Sequence, residues 1–366
     1  MVTFPTSYSR ILDKIEAISP EEYGRTRNYI DGSVTRLSPY ISRGVISTKM
    51  VMEEVMKRQL PWKRVEKFIQ ELAWRDYWQQ VWKAKGTAID RDLKNPQQGV
   101  DNQLIPSAVV NAQTDIDVMD VAIEQLYDTG YMHNHMRMYV AAVACNFGKS
   151  HWRMPARWMY YHLLDGDWAS NALSWQWVVG ANSNKKYFAN QANINRYFRS
   201  QQRGTFLDQN YEQLSNLDKP EFLTELTSPE LVTVLPKSHR FELEADEPLM
   251  IYTYYNMDPK WEVGESAQRV LHLDPEVFSR YPVSDAGIRF ILDLGENIPD
   301  VHLFTGTFEE LMDLYGGTDV HFKEHPLNGH YRGVEHARDW MFDVEGYFPS
   351  FFAFWKRCMK QMKVYS

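Results

Sequence analysis

Only two cysteines, Cys145 and Cys358, occur in the 366 residues, so no disulfide framework can hold the fold and no cysteine cluster has structural-zinc spacing. A reducing, cytoplasmic setting is the expectation. No apolar run approaches the ~20 residues that span a bilayer, and residues 1–12 lack a basic segment followed by an apolar one. Neither a membrane segment nor a secretion signal is expected. Internal repeats and low-complexity tracts are also missing, which excludes solenoid and collagen classes. Basic residues are scarce in one place: residues 241–350 hold 7 Lys+Arg against 22 Asp+Glu.

The rest of the composition is that of a folded chain, 44% hydrophobic and 24% charged, long enough for one large domain or two moderate ones. Aromatics are plentiful, with 12 Trp, 21 Tyr and 18 Phe. Packing accounts for such a number, and so does stacking on bases or on a flat cofactor. The net charge of −8 comes from the acidic block alone, since residues 1–240 hold 29 Lys+Arg and 26 Asp+Glu and residues 351–366 hold 4 and none. A polyanionic partner is therefore compatible with the first two-thirds.

To about residue 200 the pattern is helical: 65–84, 116–127, 133–147 and 155–164 carry helix-period apolar residues with Gly or Pro at their ends. Beyond a Pro-containing connection at Leu235-Pro236-Lys237, residues 249–255 and 301–305 read as short buried strands and 286–294 and 308–315 as helices. The expected fold class is mainly α, a large all-helical domain over 1–240 followed by a small acidic α/β domain over 241–366.

Several familiar patterns fail on spacing. Gly148-Lys149-Ser150 ends like a phosphate loop, yet the required first glycine falls on Val143. Asp165-Gly166-Asp167 lacks the remaining positions of a calcium loop. His133 and His135 stand two apart, which on a helix puts them on different faces, so no metal site is expected. Nothing has the context of a hydrolase nucleophile.

Five short segments remain. Tyr23 to Arg27 and Gly32 to Ser38 offer hydroxyls, backbone amides and guanidinium groups suited to phosphate or polyol. In Phe68 to Tyr77, Glu71 stands three before Trp74 and four before Arg75 on one helical face. Thr129 to Met138 contains Asn134, His135 and Arg137, and Leu164 to Trp177 contains Asp165, Asp167, Asn171, Trp175 and Trp177. Taken singly, these are capping, loop and core residues.

Jointly, the ordered tokens Thr-Arg-Leu-Ser-Pro-Tyr, Glu-Leu-Ala-Trp-Arg-Asp-Tyr, Gly-Tyr-Met-His-Asn-His-x-Arg-Met, Leu-Leu-Asp-Gly-Asp-x-Ala-Ser-Asn and Trp-Gln-Trp make residues 23–177 resemble the FAD-binding domain of the DNA photolyase and cryptochrome superfamily. The resemblance implies an FAD held inside the helical domain. Tyr23, Thr35, Leu37 and Ser38 would hold its pyrophosphate and ribityl region, Arg75 and Arg137 would frame it, and Asp165 and Asp167 would meet its ribityl, adenine or pyrimidine side. Asn171 would face flavin N5, where an amide both donates and accepts.

The resemblance further implies a substrate cavity lined by Glu71, Trp74, Asn134, His135, Met138 and Trp177. In the family's pyrimidine-dimer enzymes a flipped-out dinucleotide stacks on two tryptophans, is hydrogen-bonded by glutamate and asparagine, and is split by an electron from excited reduced flavin. Trp175 and Trp152 fall at the spacing of the first two members of the family's electron-transfer chain. From Gln176 to Leu207 there is no acid, but Lys185, Lys186, Arg196 and Arg199 stand among Tyr187, Phe188, Tyr197 and Phe198, as a nucleic-acid-binding lip requires.

Departures from the pattern bear on function. Residues 93–112, where the third tryptophan is expected, contain none, leaving Trp158 or Trp168 as replacements; His135 stands where many dimer enzymes have arginine, and Tyr131 where tryptophan is common. The family's α/β antenna domain comes first, whereas here Leu273 to Phe278 and Gly306 to Glu310 resemble a shortened antenna unit at the carboxyl end, too small to hold a second antenna chromophore firmly. The expectation is a light-dependent repair enzyme for cyclobutane pyrimidine dimers in DNA, single strands included. The alternatives are a cryptochrome-like blue-light or redox sensor, with the acidic domain as a protein-binding surface, and a dark nucleic-acid-binding flavoprotein.

Overall fold

A computed structural model describes residues 3–238, 240–261 and 266–362. In chain order the helices are α1 (Tyr8–Glu16), α2 (Pro20–Thr26), α3 (Ser38–Ser42), α4 (Thr48–Met56), α5 (Trp62–Lys85), α6 (Ser107–Val110), α7 (Asp117–Thr129), α8 (Asn134–Ala141), α9 (Arg153–His162), α10 (Trp168–Val179), α11 (Gln191–Phe198), α12 (Tyr211–Ser215), α13 (Pro275–Arg280), α14 (Asp285–Gly295), α15 (Phe308–Tyr315) and α16 (Phe351–Met362). The strands are β1 (Ile105–Pro106), β2 (Leu226–Thr227), β3 (Leu249–Tyr252), β4 (Gln268–Leu273), β5 (Val301–Thr305), β6 (Val320–Lys323) and β7 (Val334–His336). The fold is mainly α with one parallel sheet, as the residue pattern predicts. No helix among the described residues is long and apolar enough to cross a membrane.

The chain packs as two compact units that do not follow chain order. One comprises residues 1–3, 19–34 and 85–231; the other comprises 4–18, 35–84 and 232–366. The helical stretch 1–240 is thus shared between them. The reason lies in α5, whose aromatic side needs a partner: Trp74 stacks on Phe351 and Tyr77 packs against Phe354, both from α16.

In the first unit, capping fixes the helices that carry the candidate residues. Asp167 accepts from Ser170 N at 2.7 Å to start α10, and Gly180, at φ +84°, ends it. Gly130 ends α7 at φ +66°, where a Cβ would stand 2.5 Å from Leu164 Cγ, so both the backbone and the space demand glycine. After α8 the chain continues as a π-helical turn over Ala142–Phe147, buried throughout.

In the second unit, five parallel strands lie in the order β5-β4-β3-β6-β7. All four residues of the central β3 are buried, the signature of a parallel strand covered on both faces. The predicted strand over 249–255 stops at Tyr252 because Thr253 and Asn256 exchange backbone hydrogen bonds in a turn. Leu249, Ile251, Val270, Phe308, Leu311 and Tyr315 form the core on one side. Strand order reverses between β3 and β6, where open α/β sheets usually bind ligands beyond their carboxyl ends. Here that end is filled. The Arg43 guanidinium lies 3.7 Å from the Tyr254 ring centre, Tyr255 stacks on His325 at 4.3 Å, and Trp82 meets His325 edge-on.

Candidate functional site

Thr35, Leu37, Ser38, Glu71, Trp74 and Arg75 lie in the second unit. Arg36 has φ +52° and Leu37 follows in the αR region, with Thr35 Oγ1 accepting from Leu37 N at 3.3 Å. A left-handed residue followed by a right-handed one curls successive N–H groups into a concavity suited to an anion. Pro39 then opens α3, and Lys14, its pKa lowered by burial and by the Arg36 charge, adds a second cation. Arg75 Nη1 donates to Ser42 Oγ at 3.0 Å and so ties α5 to α3.

On α5, Glu71 pairs with Lys67 at 2.8 Å one turn earlier. Trp74 does not present two open faces, because Phe351 lies nearly parallel to it, 3.8 Å away and tilted by 10°. Behind them Asp76 is buried, accepting from Thr48 Oγ1 at 2.7 Å and Met341 N at 3.0 Å. Burial pushes its pKa up to about 6 despite both hydrogen bonds and the Arg338 charge.

The remaining candidates lie in the first unit. Tyr23 is half-buried on α2. His133 caps α8 by accepting from His135 N at 3.3 Å. Burial, then the charges of His135 and Arg137, lower the His133 pKa to about 4, so the cap is neutral at pH 7. Asn134 is exposed and Met138 half-buried. His135 Nδ1 faces Asn28 O at 3.1 Å, and burial lowers its pKa too. Arg137 donates from Nε to Met132 O at 2.9 Å and pairs through Nη2 with Asp165 Oδ2 at 3.0 Å, both side chains being largely buried. Asn171 is fixed by donating to Ala156 O at 2.8 Å.

Rings connect α8, α10 and α11 within this unit. Tyr29 and Tyr197 are 5.1 Å apart, Tyr197 and His135 4.6 Å, His135 and Tyr139 4.7 Å, Tyr139 and Tyr187 6.2 Å, and Tyr187 and Trp177 6.0 Å. Trp177 ends the series 40% exposed. The Arg196 guanidinium stands 5.4 Å from the Tyr197 ring centre; that of Arg199 stands 4.7 Å from Tyr29 and pairs with Asp31. Lys185 is exposed, whereas Lys186 donates to Gln98 O at 2.7 Å.

Trp152 and Trp175 are both buried. Trp152 Nε1 donates to Asp92 at 2.7 Å, and Trp168 Nε1 donates to Asp90 at 2.8 Å. The two indoles are 6.4 Å apart, which makes Trp168 an indole neighbour of Trp152. Sequence reasoning missed both carboxylates; their one visible signal was two acids, two apart, just after a long aromatic helix.

The model of the FAD binding domain of DNA photolyase matches residues 68–244. This stretch is similar to the FAD-binding domain of DNA photolyases. Similar proteins include a deoxyribodipyrimidine photo-lyase from Thermus thermophilus, 31% identical over 172 residues, and one from Alkalihalophilus pseudofirmus, 27% identical over 177 residues. These matches cover 45% and 47% of this chain and only 40% and 37% of the relatives, so the chain spans less than half the length of either. A Synechocystis cryptochrome structure shares the fold, with TM-score 0.50 and 23% identity over 54% of this chain and 44% of that one.

The residues present fit an FAD in ways particular to this chain. The Arg36–Leu37 concavity suits a pyrophosphate. Beside the Asp165–Asp167 turn, Ser170 Oγ is buried with no protein partner among the described residues, as expected of a hydroxyl facing a polar ligand.

Proposed function

We propose that the chain is a light-driven flavoprotein that acts on cyclobutane pyrimidine dimers in DNA. The observation that carries this reading is α10, where one helix bears Asn171 for the flavin, Trp175 for electron transfer and the exposed Trp177 for a base. FAD, when bound and photoexcited, supplies one-electron chemistry. The chain's own part is to position: Thr35, Leu37 and Ser38 take the pyrophosphate side, and Arg75, Arg137, Asp165 and Asp167 the remaining polar groups. Tyr23 contributes to the same pyrophosphate and ribityl region.

On the substrate side Trp177 stacks on one base, Asn134 offers a donor and an acceptor, and Arg196 and Arg199 receive phosphates. Glu71, held in an ion pair with Lys67, serves as an acceptor for a pyrimidine imide N–H. Trp74 offers its remaining face to the substrate, and the resemblance assigns His135 and Met138 to the same role. Trp152, next to Trp168, extends the electron path from Trp175.

The test mixes protein photoreduced without oxygen with UV-irradiated oligothymidine and follows recovery of base absorbance under blue light. Light-dependent recovery is expected, and Trp177→Ala should weaken binding to damaged over undamaged strands by ~1–3 kcal/mol. No recovery with bound, reducible flavin rejects repair. A second reading, a cryptochrome-like sensor, is favoured by Phe351 on Trp74, which leaves only one indole face for a lesion. Light-dependent protease sensitivity of residues 241–366 tests it.

A further inference from the structure

Residues 351–366 carry four Lys+Arg and no acid, in contrast to the 7 and 22 of residues 241–350. α16 arranges residues 351–362 of this stretch by side. Phe351, Phe354, Trp355, Cys358 and Met362 are buried, whereas Lys356, Arg357 and Lys360 are exposed and Phe352 is 68% exposed. The buried side is taken up by α5: Phe351 lies on Trp74, and Trp355 stands parallel to Trp62 at 6.4 Å. The Trp62 contact sets α16 against the start of α5, where residues 56–67 hold five Lys+Arg and one acid. Two basic segments far apart in sequence meet on one unit.

We propose that this surface is a binding site for single-stranded nucleic acid, with Lys356, Arg357 and Lys360 on phosphates and Phe352 stacked on a base. Helical spacing puts Phe352, Lys356 and Lys360 in one row, and the eight residue steps from first to last span about 12 Å. Phe352 touches Phe351 edge-on at 5.5 Å, so the exposed ring continues the contact that begins at Trp74. An anionic membrane needs the apolar side of such a helix, and that side is buried here. An acidic peptide would use the cations and leave Phe352 idle. Asp343, whose backbone exchanges hydrogen bonds with Gln361, places an acidic residue beside the last turn. Only the choice of partner rests on the function proposed above.

The experiment measures binding of labelled, undamaged oligothymidine to the full chain in the dark by fluorescence anisotropy across a salt series. Each single-strand phosphate contact contributes about 0.7 to the slope of log affinity against log salt. Neutralising Lys356, Arg357 and Lys360 together to Gln should lower that slope by about 2, and affinity near 0.15 M salt by about fiftyfold. Phe352→Ala should cost at least about fivefold with no change in slope. A control pair on the same unit, Lys260→Gln with Arg332→Gln, should change neither. Thermal melts check folding; if the triple variant unfolds early, Lys356→Gln alone is read, with about fourfold loss expected.

Wild-type affinity and slope in the triple variant overturn the proposal. So does competition by polyglutamate or anionic vesicles equal to that by oligothymidine, with Phe352→Ala silent. Failure of light-driven repair with these dark losses intact sinks the proposed function and leaves this surface standing.

Discussion

Burying Asp76 makes the second unit's stability depend on pH in the direction opposite to most carboxylates. Its two acceptor bonds, from Thr48 and Met341, do not compensate for lost hydration, and its pKa rises from 3.8 to about 6. The folded state therefore holds this proton more tightly than the unfolded chain. The group's stabilising contribution is fully present below about pH 4 and is lost as pH rises through about 6. About two units at 1.36 kcal/mol each give a loss of about 3 kcal/mol, roughly 2 of it between about pH 4.5 and 7.5. Asp76→Asn removes the charge, keeps an acceptor for Met341 N–H, and can donate to the Thr48 hydroxyl. Urea unfolding of both proteins across that pH range should show the variant gaining about 2 kcal/mol relative to wild type. Parallel curves would refute the reasoning.

Two further outcomes follow from the first unit. Arg137→Ala removes the guanidinium 3.0 Å from the buried Asp165 carboxylate and should cost about 3–5 kcal/mol in urea unfolding, whereas Arg137→Lys should recover part of it. Gly130→Ala meets both a positive φ and Leu164; a loss of about 2 kcal/mol or more in the same assay is expected, and a neutral result would show that the α7 terminus relaxes freely.

Local features were legible where one segment decides them. Apolar spacing over 65–84 foretold α5, found at Trp62–Lys85, and β5 and α15 have their expected bounds. At the start of α15 the structure adds a reciprocal cap between Thr307 and Glu310. β4 and β6 were harder, because Arg269, His272, His321 and Lys323 interrupt the apolar run that marks a buried strand. Asn171, Trp175 and Trp177 do share α10, but their assignment to a site comes from the resemblance and not from spacing. What spacing could not reveal were partners brought in by packing: Phe351 on Trp74, Met341 on Asp76 across 265 residues, and Asp92 on Trp152. The division into units was hidden for the same reason.

That interleaving has a consequence for synthesis. The second unit needs residues 4–18 and 35–84 together with everything after Leu231. While the 147 residues 85–231 are being translated, at about 5–20 per second, α5 waits about 7–30 s for the strands and helix that will cover it. Trp62, Trp74 and Tyr77 remain uncovered by α16 for at least that time. On the ribosome, the chain is thus most vulnerable to aggregation through α5, which emerges early and is buried last.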